Sequence, residues 1–259
     1  MLIQRLKSLL KPVKTSAFIA ELKPDEQFYA IGDIHGRDDL LEDLLETIFA
    51  DAEGSEAIIV CVGDYIDRGE NSAAALRRLH GLSKEHTNNF ICLLGNHEEM
   101  MLAFLDDPKR KAGVWLRNGG LQTLASFQIE GARQNMSERR LTKVRKQLEE
   151  ALGADMIDWL RALPSMWSSG NVTVVHAGAD PDRRLEGQHK NDLTWGHRNF
   201  LSKPRQDGQW IVHGHTIVSK IEANDGRIGV DTGAFATGRL SAASISASGV
   251  RSLISSVRG

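Results

Sequence analysis

Three short polar strings punctuate this chain: Gly32-Asp33-Ile34-His35-Gly36, Gly63-Asp64-Tyr65-Ile66-Asp67-Arg68-Gly69 and Gly95-Asn96-His97-Glu98. Two histidine strings follow, Val175-His176 and His213-Gly214-His215. Carboxylate, amide and imidazole together hold divalent cations of borderline hardness. Two such cations about 3.5–4 Å apart can clamp both ends of an in-line phosphoryl displacement. The chain offers Asp33, His35, Asp64, Asn96, His176 and His215 as ligands for such a pair. An aspartate at a strand end can instead cap a helix, and a lone histidine there is usually structural. Three such ends at equal spacing are not explained that way. Spacing leaves His213 open beside His215.

Strands must position these residues. The three strings follow apolar runs, Phe28 to Ile31, Ala57 to Val62 and Phe90 to Leu94. Asp33, Asp64 and Asn96 lie 31 and 32 residues apart. That is the length of one strand–helix–strand unit, ~30 residues. They should emerge side by side at the carboxyl ends of neighbouring strands, where open α/β sheets bind ligands. Asp33 and His35, two apart in extended backbone, point the same way. Apolar periodicity predicts helices over Asp38 to Ala50 and Asn71 to His86. Residues 98–163 read as a helical insertion or cap, broken at Asp107-Pro108 and Asn118-Gly119-Gly120. Within it, Ser137 caps a charged helix over Arg139 to Leu152. Strands return at Asn171 to Val175, Trp210 to Val212 and Ile228 to Val230, and Leu240 to Ile254 reads as two antiparallel strands. The expected division is an arm, residues 1–20, and a single domain, residues 21–259.

Composition sets bounds. With 259 residues, 41% hydrophobic and 25% charged, the chain can bury a substantial core. A net charge of −2 gives no argument for a nucleic-acid partner. No apolar stretch approaches the ~20 residues of a transmembrane helix. Cys61 and Cys92 lie inside strand runs and read as reduced core residues of a cytoplasmic enzyme. Leu2, Ile3, Leu6, Leu9, Leu10 and Val13 interleave with Arg5, Lys7, Lys11 and Lys14 as a basic amphipathic helix. This arm is expected to pack on the body or on another subunit, with contact to an anionic membrane surface as the sharper alternative.

The three boxes resemble those of the metallophosphoesterase superfamily of calcineurin-like phosphatases. Gly63-Asp64-Tyr65-Ile66-Asp67-Arg68-Gly69 is similar to the serine/threonine protein phosphatase branch in its compact bacterial and phage form. Val175-His176-Ala177-Gly178 and His213-Gly214-His215-Thr216 match the later boxes in order, and the similarity runs from about Phe28 to Gly233. The resemblance implies an α+β fold of four layers, α/β/β/α, with two mixed sheets packed together and helices on both outer faces. It implies Asp33 and His35 on a first metal, Asp64 bridging, and Asn96, His176 and His215 on a second, so it selects His215 over His213. His97 would protonate the leaving alkoxide and Asp67 would orient it. Arg68, Asn96 and Arg198, in Trp195-Gly196-His197-Arg198, would meet the substrate phosphate. The implied metal is manganese, with iron, zinc or cobalt as alternatives, and a metal-bridging hydroxide would attack phosphorus without a covalent phosphoenzyme.

The implied activity is hydrolysis of phosphoserine and phosphothreonine monoesters in proteins, with small aryl phosphates also taken. The alternative is a symmetrical diadenosine tetraphosphate hydrolase of the same superfamily, whose second box usually lacks the Asp-Arg pair seen at Asp67 and Arg68. A non-catalytic binding protein is a third reading, which the intact metal and acid residues oppose. Two departures stand out. The animal and plant enzymes carry a tyrosine after the last metal histidine, whereas this chain has only Tyr29 and Tyr65, and Phe235 lies in the comparable region. Ala177 replaces their usual glycine. Trp115, Trp159, Trp167 and Trp210 are expected in the core, Trp195 beneath the phosphate-binding loop, and His80, His86 and His189 on the surface.

Overall fold

The computed structural model describes residues 18–53 and 57–257. Strands β1 (Phe28–Ile31), β2 (Ile58–Cys61) and β3 (Phe90–Cys92) are parallel neighbours, joined by crossover helices α1 (Asp38–Asp51) and α2 (Ser72–Glu85). The cap follows as α3 (Asn96–Asp106), α4 (Pro108–Trp115), a widened turn at Leu116–Gly120, α5 (Leu121–Ser126), α6 (Glu138–Leu152) and α7 (Ala154–Ala162). A second sheet holds β4 (Met166–Ser169), β5 (Val172–Val175), β6 (Trp210–His213), β7 (Ala223–Asn224) and β8 (Arg227–Gly229), in the order β4-β5-β6-β8-β7. Helix α8 (Lys190–Trp195) lies between β5 and β6, and α9 (Ala234–Thr237) follows β8. The tail returns to the first sheet as antiparallel β9 (Arg239–Ser246) and β10 (Gly249–Ser256), giving β10-β9-β1-β2-β3.

Period-2 alternation builds the layers. Phe28, Ala30, Ile58 and Val60 meet Val172, Val174, Val212 and Ile228 in the core between the sheets. Tyr29, Ile31, Ile59 and Cys61 point the opposite way, onto Leu41, Leu44 and Leu76 of the crossover helices. Leu193 of α8 and Phe200 cover Val175 and Ile211 on the outer face of the second sheet. Each such large side chain stabilises the fold by about 1.5–3 kcal/mol. The four-layer α/β/β/α sandwich of two mixed sheets is thus present as expected.

The cap is part of the body, since Met101, Phe104, Leu116 and Leu124 join the core under α1 and α2. Pro108 opens α4 where no N–H is needed, and Asp107 accepts from Arg110 N at 3.1 Å. Ser137 Oγ accepts from Arg140 N. Helix α6 turns its charges outward and buries Leu141, Val144, Leu148 and Leu152. Several expectations shift. The helical stretch begins at Asn96, because the third box is itself the first turn of α3. The edge strand β7 has only exposed residues and no pattern to betray it. His80 is a partly buried residue beside the Trp159 ring and 3.5 Å from Asp155, not a free surface histidine. Most of the N-terminal arm lies outside the described residues; at its end, Phe18 packs edge-on against Trp210 at 4.9 Å. Cys61 and Cys92 are register partners, buried and free. Among the described residues no helix is long and apolar enough to cross a membrane.

Candidate metal centre

The polar boxes leave the strand ends through unusual backbone. His35, Asp64, Asp67, Arg68 and His215 all have positive φ, between 45° and 71°. Such residues cost about 1–3 kcal/mol each and persist where the surroundings fix them. Here the surroundings do so. Glu98 accepts hydrogen bonds from the backbone N–H of Asp64 (2.9 Å), Tyr65 (2.8 Å), Ile66 (3.3 Å) and Gly95 (3.1 Å). One carboxylate thereby ties the second box to the third. Gly95 must lack a side chain, because a Cβ there would stand 2.3 Å from Asp64 N.

Asp64 is the hub of two clusters. His35, Asp64 and His97 form one, and Asp64, His176 and His215 the other, with candidate ligand atoms in each within 4.8 Å of one another. Asp64 Oδ2 lies 3.6 Å from His35 Nε2 and 3.8 Å from His97 Nε2, and its Oδ1 lies 3.3 Å from His176 Nε2. Asn96 joins through Oδ1, 2.9 Å from His176 Nε2. Asp33 stands slightly apart, accepting from His215 N at 3.0 and 3.1 Å.

The tautomers fit a cation. His35 Nδ1 is 2.7 Å from the Ile66 carbonyl and His176 Nδ1 is 3.1 Å from the Val62 carbonyl. A nitrogen facing a carbonyl oxygen carries the proton, so both Nε2 atoms are bare, the arrangement that prepares histidine for metal. His176 Nε2 then faces Asn96 Oδ1, acceptor against acceptor, a contact that a cation would resolve. Burial holds His35 at about 3 and His176 at about 4, so both are neutral. Burial also lowers His215. Burial opposes charge on Asp64 as well, but its carboxyl is held below the usual range, with the His97 ring and the His97 backbone N–H, which donates to Oδ1 at 3.0 Å, favouring the ionised form. Asp33 is pushed well up by burial and by the Asp231 and Asp64 carboxylates. Burial and Asp64 raise Glu98 to about 8. Asp33, Asp64, Asp67, Glu98 and Asp231 are all at most 3% exposed, a concentration of buried carboxyl groups that divalent charge would balance.

On the other side stands a histidine–carboxylate pair. His97 Nδ1 is 2.6 Å from Asp67 Oδ2. Burial works against charging His97, yet Asp64 and Asp67 prevail and raise its pKa. The cap fixes Asp67: Trp115 Nε1 donates to both carboxylate oxygens at 3.1 Å, and Thr123 Oγ1 donates to Oδ1 at 2.6 Å. Arg68 spans the two rings, with Nη1 3.1 Å from His35 Nε2 and Nη2 3.1 Å from His97 Nε2. Its guanidinium lies 4.8 Å from the Phe235 ring centroid, and the ring meets His35 edge-on. Gly119, at φ 110°, lets the cap reach the second box, for a Cβ there would be 2.5 Å from Arg68 N.

The structure therefore gathers Asp33, His35, Asp64, Asp67, Arg68, Asn96, His97, His176 and His215 at one rim. His213 is left out of both clusters, its ring edge-on to Phe200 and its Nδ1 3.0 Å from the Gly214 carbonyl. Arg198 is exposed and has no hydrogen-bond or ion-pair partner among the described residues. Trp195 is 39% exposed and donates to Glu99 at 2.8 Å, so it does not pack beneath a loop as expected. Four participants escaped the sequence reading. Glu98 carries a signal, an acid three residues after the Gly95 N-cap. Asp231 follows a strand run, as the ligands do. Trp115 and Thr123 carry none, because tryptophan and threonine inside a helical stretch read as packing.

Comparison with known proteins agrees with this geometry. A symmetrical bis(5'-nucleosyl)-tetraphosphatase of Nitrosococcus oceani is 30% identical over 155 residues, 59% of this chain. The match spans 44% of that relative, so the chain covers under half of its length. Serine/threonine-protein phosphatase 2 of Salmonella typhimurium is 27% identical over 221 residues, 82% of this chain and 90% of that protein. A crystal structure provisionally assigned as a diadenosine tetraphosphatase superposes with TM-score 0.61 at 22% identity, covering 93% of this chain and all of that one. The family model for calcineurin-like phosphoesterases matches residues 27–227, the stretch that carries all three boxes and both later histidine strings, and the chain belongs to that family.

Proposed function

We propose that this chain is a metal-dependent phosphoprotein phosphatase, hydrolysing phosphoserine and phosphothreonine monoesters. Asp33 and His35 would hold one divalent cation, manganese by preference, Asn96, His176 and His215 a second, and Asp64 both. When bound, the pair supplies Lewis acidity toward phosphate oxygens and water. The remaining work falls to side chains. Arg68, already aimed between His35 and His97, binds the phosphate oxygens through its planar fork. Arg198 adds a second guanidinium. His97 delivers a proton from Nε2 to the leaving oxygen, while Asp67 holds Nδ1 and stabilises the imidazolium.

The observation that carries this reading is the bracing of Asp67 by Trp115 and Thr123 behind His97. A serine or threonine alkoxide is a poor leaving group and needs a proton as the P–O bond breaks. A nucleoside diphosphate leaving a dinucleotide is a stabilised anion and needs little help. A fixed general acid therefore favours the alkyl monoester. The similarity along nearly the whole Salmonella phosphatase supports the same choice. Dinucleotide hydrolysis is the second reading, favoured by the 30% identity to the tetraphosphatase relatives.

The deciding assay strips the protein of metal, restores manganese, and compares a phosphothreonine peptide, an aryl phosphate and diadenosine tetraphosphate, with Asp64→Asn as control. Metal-dependent peptide turnover, lost in the variant, is the expected result. Selective release of ADP from the dinucleotide would move the function to the second reading.

A further inference from the structure

We infer that the cleft beside Arg68 is a second anion-binding subsite, which takes a carboxylate or a further phosphate that the substrate carries beyond its scissile phosphate. In its peptide form the inference rests on the phosphoprotein reading; in its chemistry it does not.

The cleft has a volume of about 430 Å³. Arg68 and Phe235, both in contact with the His35 ring, line it together with Arg117, Asn118, Gln122 and Gln134. It is therefore continuous with the place where the scissile phosphate is proposed to bind. No carboxylate lines it. Of the cap's basic residues, Lys109 Nζ is 3.0 Å from Glu138 and Arg110 Nε is 3.7 Å from Asp107. Arg117 is the basic residue of the cap that lines this cleft. It is exposed and has neither an ion pair nor a hydrogen bond among the described residues. Its Nη1 is 3.3 Å from the place a side chain would take at Gly113, so the glycine leaves room for the guanidinium beside the cleft. Gln122 and Gln134 add amide donors, while the Asn118 amide is engaged with the Val114 carbonyl at 2.9 Å. Two arginines in the lining of one cleft, with amide side chains beside them, suit a substrate with more than one anionic group.

The test uses the full chain loaded with manganese and a set of phosphothreonine peptides that differ at one flanking position, glutamate against glutamine, each position in turn. Diadenosine tetraphosphate forms the polyphosphate arm, compared with an aryl phosphate that has no second anion. The readout is the ratio of kcat/KM within each substrate pair, so a general loss of activity cancels. In the unmodified protein the best-placed glutamate should raise kcat/KM about fivefold at low salt, fading as salt rises. Arg117→Gln should bring the ratio to one, Arg117→Glu should invert it, and Arg117→Lys should keep part of it. Peptide turnover with the same ratio in all four proteins overturns the subsite and leaves the phosphatase reading intact. If peptides are not hydrolysed and the dinucleotide is, the phosphatase reading fails; the dinucleotide-to-aryl ratio then decides the subsite, supporting it if Arg117→Glu lowers that ratio and overturning it if not.

Discussion

The rim of the first sheet and the loop system of the second hold their side chains in different ways. On the first, His35, Asp64, Asp67 and His97 are at most 2% exposed and each has fixed partners. On the second, the root is equally firm: Gln188 Nε2 donates to the Asp180 and Arg183 carbonyls at 2.9 Å, and the buried Arg205 donates to the same two carbonyls. Its tip is not, since Arg198 is exposed without a partner among the described residues, beside a Trp195 that is 39% exposed and hydrogen-bonded to Glu99. The proposed metal ligation and proton transfer tolerate little displacement, and the fold holds these side chains in place by its own contacts. A guanidinium meeting a phosphate can be brought in by the phosphate itself.

Substitutions can break or sharpen this contrast. The largest effect is expected at the shared hub. Asp64→Asn removes the charge common to both clusters and should lower kcat/KM about 10³-fold on every phosphate ester, together with manganese binding measured by calorimetry. Retained stoichiometric binding of two ions would break the reading of Asp64 as hub. Next comes the acid. His97→Ala should cost about 10²–10⁴-fold on a phosphothreonine peptide, and far less on nitrophenyl phosphate, whose leaving group needs no proton. Equal losses on both would place His97 among the ligands instead, where its grouping with His35 and Asp64 also allows it to serve.

The tip of the second loop should matter less. Arg198→Ala is expected to act mainly through KM, by about tenfold, against the 10²–10³-fold loss in kcat of about the size seen for a preorganised charge donor when Arg68→Ala is made. Matching losses at both arginines would erase the difference between the two rims. The smallest effect lies furthest from the reacting atoms. Trp115→Phe keeps the ring and removes the N–H that donates to Asp67; a loss of about five- to tenfold is expected, larger on the peptide than on the aryl phosphate. A uniform loss across leaving groups, or a drop in thermal midpoint with no kinetic change, would reduce Trp115 to packing.

Much of this was legible in one dimension. The ends of α1 and α2 fall within a residue or two of the predicted bounds, because their apolar spacing directly encodes the buried face. The parallel pairing of β1, β2 and β3 follows from the 31- and 32-residue steps between the boxes. The misses at Trp195, Trp115 and Thr123 share a cause: each depends on a neighbour far away in sequence. Trp195, expected beneath a loop, instead donates its N–H to Glu99, 96 residues away. The bonds of Trp115 and Thr123 to Asp67 span 48 and 56 residues.

The amino-acid sequence by itself determined the alternating strands, the amphipathic helices and the set of candidate metal ligands, because local periodicity and donor chemistry act over a few residues. Tertiary structure shows how the two neighbouring histidines part: His215 joins Asp64, as the family resemblance implies, while His213 turns to Phe200. It also decided that the cap braces the Asp67–His97 pair, that Arg198 stays outside, and that Arg117 and Arg68 share one cleft. These are matters of distance and direction between segments that only packing brings together.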